Sequence, residues 1–450
     1  FSRLFGAFTG PCLTFLEDAK MAFDAGLLWL IAASLILIFL GLPVAFSLAT
    51  CSFAYLWLNG FPIAQGALEL GFSLENFTFL AIPLFMAAGM TMNAGKITDR
   101  IFDFANVLVG RIPGGLGHVN VFASLIFAGM SGSALADVAG LGSMEVKAMR
   151  KKGYDTNFSV GITLASSAIG PILPPSIPMV LFGVIADVSI TGLFLGGVVP
   201  GLLIALCLMI YIFVIGLRRN YYSKEWVGWK VVFVAGLIAV PALLTPIIIV
   251  GGMTLGIFSP TEAATVAVVY ALFLAVIVYR DLSWKQFKKI LEDTALSTAK
   301  LMIIIASAML FGWALTVGEL PQALSQFLVS TFPEKWSFLL AVILVLLVLG
   351  AIIENAILLL ILAPMLLPIA QQSFGMDPVH LGVVMVFAIM IGQYTPPMGL
   401  SLFVMRDVAQ LSLGRVSMAV LPFLIPLIGA LFIMAYVPGI VLWLPRLLGY

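Results

Sequence analysis

Residues 129–178 read GMSGSALADVAGLGSMEVKAMRKKGYDTNFSVGITLASSAIGPILPPSIP. Ser131, Ser133, Asp137, Ser166 and Ser167 stand here beside glycines and a Pro174-Pro175 pair, between strongly apolar flanks. In hydrocarbon an unpaired N–H or C=O costs several kcal/mol, so broken backbone persists only where protein buries it or where it lines a wet cavity. Polar groups and helix breakers at membrane depth therefore point to a binding site.

Working outward, the flanks set the class. Of 450 residues, 62% are apolar and 10% are charged, and mean hydropathy is +1.16, whereas soluble domains carry roughly 25% charge. The chain reads as an all-α polytopic membrane protein with room for roughly ten or more spans of ~20 residues. Apolar and polar residues alternate too weakly for an outer-membrane barrel. A net charge of +1 argues against a nucleic-acid partner, leaving the lipid bilayer as the surrounding. Cys12, Cys51 and Cys207 show neither a disulfide framework nor metal spacing, and His118 and His380 alone build no metal cluster. No cofactor is expected.

Residues 1–25 are too charged to span and read as an interfacial segment. Leu27–Leu58 is a long apolar run that Gly41-Leu42-Pro43 should break. Residues 96–112 alternate charged and apolar groups at helical spacing, as a helix lying at the interface does. Leu116–Gly129 is too short to cross, at about 21 Å against a ~30 Å core, so a re-entrant hairpin over 116–149 is expected, with Ala134–Met149 as its return arm. An interrupted helix over 157–184, broken at Gly170–Pro175, follows, and Ile190–Gly216 completes a first half over 26–217. A charged connector, 218–230, leads to a second half over 231–450, with a hairpin over 336–370 and a helix over 383–404 interrupted at Gly392–Pro397. Glu262, three residues after Ser259, reads as a helix cap.

The halves are related. Gly170 and Gly392 each precede a Pro-Pro pair by three residues and lie 222 positions apart. The same offset carries Ser131-Gly132-Ser133 onto Ile353-Glu354-Asn355. Charge breaks the symmetry: the first hairpin exits into Lys147, Arg150, Lys151 and Lys152, but the matching 369–374 (IAQQSF) has no basic residue. By the positive-inside rule the first lies in the cytoplasm and the second outside, the pattern of an inverted-topology repeat with a midplane site between its halves.

Half-helices ending at the midplane present free carbonyls at one end and free amides at the other. Carbonyl and hydroxyl oxygens suit a hard cation such as sodium. Ser131, Gly132, Ser133, Gly170 and Pro174 are candidates for one cation site, and Glu354, Asn355, Gly392, Thr395 and Pro396 for its symmetry mate. Amide ends suit a carboxylate, and Asp137, Ser166, Ser167 and Pro175 are the candidates for substrate contact. The competing reading has the hydroxyls bonding back to their own helices and the two carboxylates standing in water near the hairpin tips. Asn120 and His118 read as helix-packing polar groups.

The stretches GLPVAFSLA (41–49), AIPLFMAAGMTMNAGKITDRIFDFANVLVG (81–110), GGLGHVNVFASLIFAGMSGSALAD (114–137), ASSAIGPILPPSIPMVLFG (165–183), GIFSPTEAA (256–264) and IGQYTPPMGLSLFV (391–404) resemble the large membrane subunit of tripartite ATP-independent periplasmic (TRAP) transporters. The resemblance runs from about residue 27 nearly to the end. It implies a sodium-driven importer of an organic acid in the bacterial inner membrane, with an elevator-type mechanism. Two partners are implied: a small membrane subunit and a periplasmic substrate-binding protein. It also allows residues 1–25 to be the linker of a fused small–large chain. Leu27–Leu58, Lys96–Arg111 and Thr261–Tyr279 lack polar breaks and are assigned to the scaffold, with Ala45 and Ala267 expected to face the small subunit. Other readings are an ion-coupled carboxylate transporter without a binding protein, a passive channel, or an intramembrane enzyme using Asp137 or Glu354. The enzyme reading lacks HExxH, GxSxG or another catalytic partner, and no GxxxxGK[ST] loop supports a primary pump.

Overall fold

The computed structural model describes residues 25–219, 221, 228–396 and 399–450. The readings placed on residues 1–24, on most of the 218–230 connector and on Pro397 lie outside the described residues. The first half contains α1 (Ala25–Phe39), α2 (Val44–Leu58), α3 (Ile63–Phe72), a short 3₁₀ turn, α4 (Ala81–Ala94) and α5 (Ile97–Val109). Next come α6 (Gly115–Ser131), α7 (Ala134–Ala139), α8 (Leu141–Lys151), α9 (Thr156–Ser167), α10 (Ile177–Ile185) and α11 (Ile190–Arg218). The second half contains α12 (Trp229–Thr254), α13 (Pro260–Phe273), α14 (Trp284–Val317), α15 (Leu320–Thr331), α16 (Lys335–Gly350), α17 (Asn355–Phe374), α18 (Pro378–Gly392), α19 (Leu400–Ala409), α20 (Leu413–Tyr436) and α21 (Pro438–Leu447).

Local chemistry sets these boundaries. Ser133, Ser176 and Ser189 accept backbone N–H groups at the starts of α7, α10 and α11, and Asp155 and Asp377 do so for α9 and α18. Ser259 with Glu262, and Ser283 with Gln286, form reciprocal capping boxes, so Glu262 is a cap. The 40–43 segment separates α1 from α2, as proline's missing N–H requires.

Among the described residues seven helices are long and apolar enough to cross a membrane. This is fewer than ten because two crossings are each divided into half-helices, α9–α10 and α18–α19, and other apolar helices are short. Tryptophans at helix ends, Trp57, Trp229 and Trp284, are exposed, as at a membrane interface.

Packing between the halves is reciprocal. Helix α4 lies against α13, and the counterpart pair α2 and α14 does the same. Helix α9 packs on α20 while α18 packs on α11; α10 packs on α17 while α19 packs on α7 and α8. Each contact is thus repeated between the counterparts of its two elements, which is the contact pattern of a two-fold repeat.

Two expectations are corrected. The first return arm is not one helix over 134–149 but α7 and α8, broken at Gly140, where a Cβ would stand 3.0 Å from Asn93 Nδ2. The bare glycine lets α4 approach. Ala45 and Ala267 do not face outward. Both are buried within this chain, because α2 and α13 turn their small residues toward α14 and α4 to allow close packing.

Candidate functional site

Helices α6 and α7 form the first hairpin, and its tip, Ser131-Gly132-Ser133, sits on the break between α9 and α10. Gly132 adopts φ +60°, and a Cβ there would run into the Pro175 carbonyl oxygen and lie 3.1 Å from the Pro175 carbonyl carbon. Only glycine takes this left-handed conformation without strain and leaves that space open. The Ile177 N–H donates to the Gly132 carbonyl at 3.4 Å. A Cβ on Gly170 would lie 3.4 Å from the Ser133 carbonyl carbon. Ser131, Gly132, Ser133, Gly170 and Pro175 are therefore brought together, with Pro174 in the same break.

The second hairpin, α16 and α17, meets α18 in the same way. Gly350 and Gly392 are in backbone contact, a Cβ on Gly392 standing 2.7 Å from Gly350 Cα. Asn355 Nδ2 donates to Gln393 Oε1 at 2.8 Å and lies 2.8 Å from Met390 Sδ. Thr395 Oγ1 donates to its own helix at the Ile391 carbonyl, 3.0 Å away, so the back-bonding alternative holds for this residue. Pro396 is half-buried.

The two tips share one cavity of about 110 Å³. Gly132, Ser133 and Ala134 line one side; Glu354, Asn355 and Gln393 line the other. Two buried oxygens at the tips have no hydrogen-bond partner among the described residues: Ser131 Oγ and Asn355 Oδ1. A buried polar atom left unpaired costs about 1–3 kcal/mol, so an unpartnered oxygen at each hairpin tip, that of Asn355 on a cavity-lining residue, points to groups held for a ligand. Hydroxyl, amide and carboxylate oxygens are hard donors of the kind an alkali cation takes. The first turn of α17 also opens on the cavity, since Asn355 and Ala356 line it and Glu354 makes no side-chain cap. Its free N–H groups suit a carboxylate.

Asp137, Ser166 and Ser167 are not among the residues lining this cavity. They belong to a polar network behind it. Ser166 Oγ donates to Asn120 Oδ1 at 2.6 Å, and Asn120 Nδ2 donates to Glu145 Oε2 and Thr163 Oγ1, both at 2.7 Å. Ser167 Oγ lies 3.0 Å from the Tyr394 hydroxyl, joining the two halves. Asp137 Oδ2 and Glu145 Oε1 are buried without a partner among the described residues. Asn120 thus packs helices, as its setting suggested, by tying α6 to α8 and α9. Sequence reasoning missed Gln393 and Glu145. Gln393 stood inside the GQYTPP break, where its polarity was a usable signal; Glu145 fell within the expected return arm, next to the basic exit of the hairpin, and its carboxylate was the signal.

In a helical membrane protein, two hairpin tips and two helix breaks that converge on one cavity are the arrangement found in secondary transporters. The family is shown by direct similarity. This chain belongs to the family described as tripartite ATP-independent periplasmic transporter, DctM component, which it matches over residues 31–440. It is 44% identical over 416 residues to the sialic acid TRAP transporter large permease protein SiaM of Vibrio cholerae, covering 92% of this chain and 97% of that one. It is 41% identical over 383 residues to the C4-dicarboxylate TRAP transporter large permease protein DctM of Pseudomonas aeruginosa, covering 85% and 90%. The crystal structure of the Alcanivorax borkumensis YdaH transporter shares the fold, with a TM-score of 0.62 at 14% identity over 82% of this chain and 87% of that one.

Proposed function

We propose that this chain is the large membrane subunit of a sodium-driven importer of an organic anion in the bacterial inner membrane. It would receive its substrate from a periplasmic binding protein and work beside a small membrane subunit. The observation that carries the cation reading is the pair of unpartnered buried oxygens, Ser131 Oγ and Asn355 Oδ1, at the two hairpin tips. Relatives named for sialic acid, C4-dicarboxylates and 2,3-diketo-L-gulonate share a carboxylate as the common feature, and the α17 N-terminus is suited to that group. At about 110 Å³ the cavity is smaller than the 300–1,000 Å³ of pockets that enclose drug-sized ligands. It would hold ions and a carboxylate end in this state, and a larger substrate would require the tips to part. Scaffold helices α2 and α13 each pack on a helix of the opposite half, a frame against which the hairpins and broken helices of an elevator would slide.

The test is uptake into proteoliposomes, with the binding protein supplied outside, in the presence and absence of an inward sodium gradient. Accumulation above the external concentration should require the gradient. Ser131→Ala and Ser133→Ala should each raise the sodium concentration for half-maximal uptake with expression unchanged. Gradient-independent equilibration would establish a channel, and unchanged sodium dependence in both variants would remove these serines from the site.

A further inference from the structure

A second built cavity, of about 350 Å³, lies away from the hairpin tips, where the start of α9, the end of α11 and the first turns of α20 meet. Its rim is polar: Arg218, Arg219, Asp155 and Asn157. Its body is apolar, formed by Ile215, Tyr211, Met418, Pro422 and the rings of Phe158 and Phe423. Phe423 is packed 5.8 Å from Phe158 and edge-on to Tyr211 at 5.5 Å, which makes a rigid aromatic floor.

The charges at the rim do not cancel. Arg219 Nη1 is held 2.9 Å from Asp155 Oδ2, and Asp155 Oδ1 also caps α9 by accepting the Asn157 N–H at 3.2 Å. Arg218 has no ion-pair partner among the described residues and is exposed at the same rim. The positive end of the twelve-residue α9 points to the same place. Below the rim, Met418 and Leu421 on α20, with Val214 and Leu217 on α11, are exposed on the apolar flank. A site with cationic groups above a lipid-facing apolar groove is the arrangement that anionic phospholipids occupy between helices. The groove is far larger than a phosphate ion needs, and its apolar flank opens toward hydrocarbon rather than water. The basic residues Lys147, Arg150, Lys151 and Lys152 just before α9 assign this end to the cytoplasm, whose leaflet is anionic.

We propose that this groove binds an anionic phospholipid, with its phosphate between Arg218, Arg219 and Asn157 and an acyl chain along Ile215, Met418 and Pro422. Because α9, α11 and α20 come from both halves of the repeat, the lipid would bridge them at their cytoplasmic ends.

Native mass spectrometry and thermal unfolding of the purified chain, mixed with vesicles of phosphatidylglycerol or phosphatidylcholine or with inorganic phosphate alone, test this. Phosphatidylglycerol should be retained and should raise the unfolding midpoint more than the other two. A juxtamembrane basic residue contributes about 1 kcal/mol, so Arg218→Gln should weaken retention about fivefold and Arg218→Lys should largely restore it. Arg219 is left in place because removing it would strip Asp155 of its partner. In the unaltered chain, a photoreactive phosphatidylglycerol should label the peptide containing Met418, a result that does not depend on any variant folding. Equal retention of the two lipids, the same shift with phosphate alone, full retention by Arg218→Gln, or labelling elsewhere would overturn the proposal.

Discussion

Gly132→Ala is the sharpest perturbation of the hairpin-tip geometry. A β-carbon at φ +60° costs about 1–2 kcal/mol in backbone conformation alone. It also collides with the Pro175 carbonyl, an overpacking that costs about 1–3 kcal/mol. The local way to relieve the collision is to lift the tip from the α9–α10 break, which loses the Ile177 N–H bond to Gly132. If sodium binds only when tip and break are closed, a cost of about 2 kcal/mol weakens sodium binding about 30-fold. The assay is the rise in thermal unfolding midpoint as sodium replaces choline at constant ionic strength. At a sodium concentration ten times the wild-type dissociation constant, stabilisation by linkage should fall from about 1.4 to about 0.2 kcal/mol. Gly375→Ala is the matched control. It has φ +57° but nothing within 4 Å of the added carbon, so it should lower the midpoint without changing the sodium response. If Gly132→Ala keeps the full sodium response, or Gly375→Ala loses it equally, contact between tip and break does not build the cation site.

Two further outcomes follow from other parts of the chain. A cysteine placed at Lys151 should react with a membrane-impermeant thiol reagent only from the cytoplasmic face, and one at Gln372 only from outside; labelling of both from one face would end the inverted-repeat reading. Arg100 donates to Asp281 at 2.7 Å while its guanidinium lies 4.0 Å from the Tyr279 ring centre, and this hydrogen bond holds the Asp281 carboxyl below the usual carboxylate range. A lowered carboxylate pKa contributes stability above the unfolded value of about 3.9 that is lost as pH falls through the folded one. Asp281→Asn should therefore lower the unfolding midpoint near neutral pH and converge with the parent in acid; a difference independent of pH would mean that the ion pair contributes nothing.

The features readable along the chain are local and concern the backbone. Gly41-Leu42-Pro43, Ser131-Gly132-Ser133, Gly170–Pro175 and the Ser259–Glu262 cap act within a few residues through missing N–H groups, permitted dihedrals and short side-chain bonds, and each was legible without a fold. The 222-residue offset added the pairing of the two halves. Tertiary structure alone decided which faces meet. Helices α2 and α18 are apolar nearly all round, so no stripe on them marks an inner side, and lipid is no more polar than the protein interior. Ala45 and Ala267 consequently turned inward against neighbours that the sequence did not name. The side chain that closes on the bare Gly140 belongs to Asn93, 47 residues away. Glu145 is buried because Asn120, on another helix, offers it an amide. The cavity itself joins Ser133 to Glu354 and Gln393, residues from opposite halves of the chain whose proximity exists only once both hairpins and the second helix break have been folded around it.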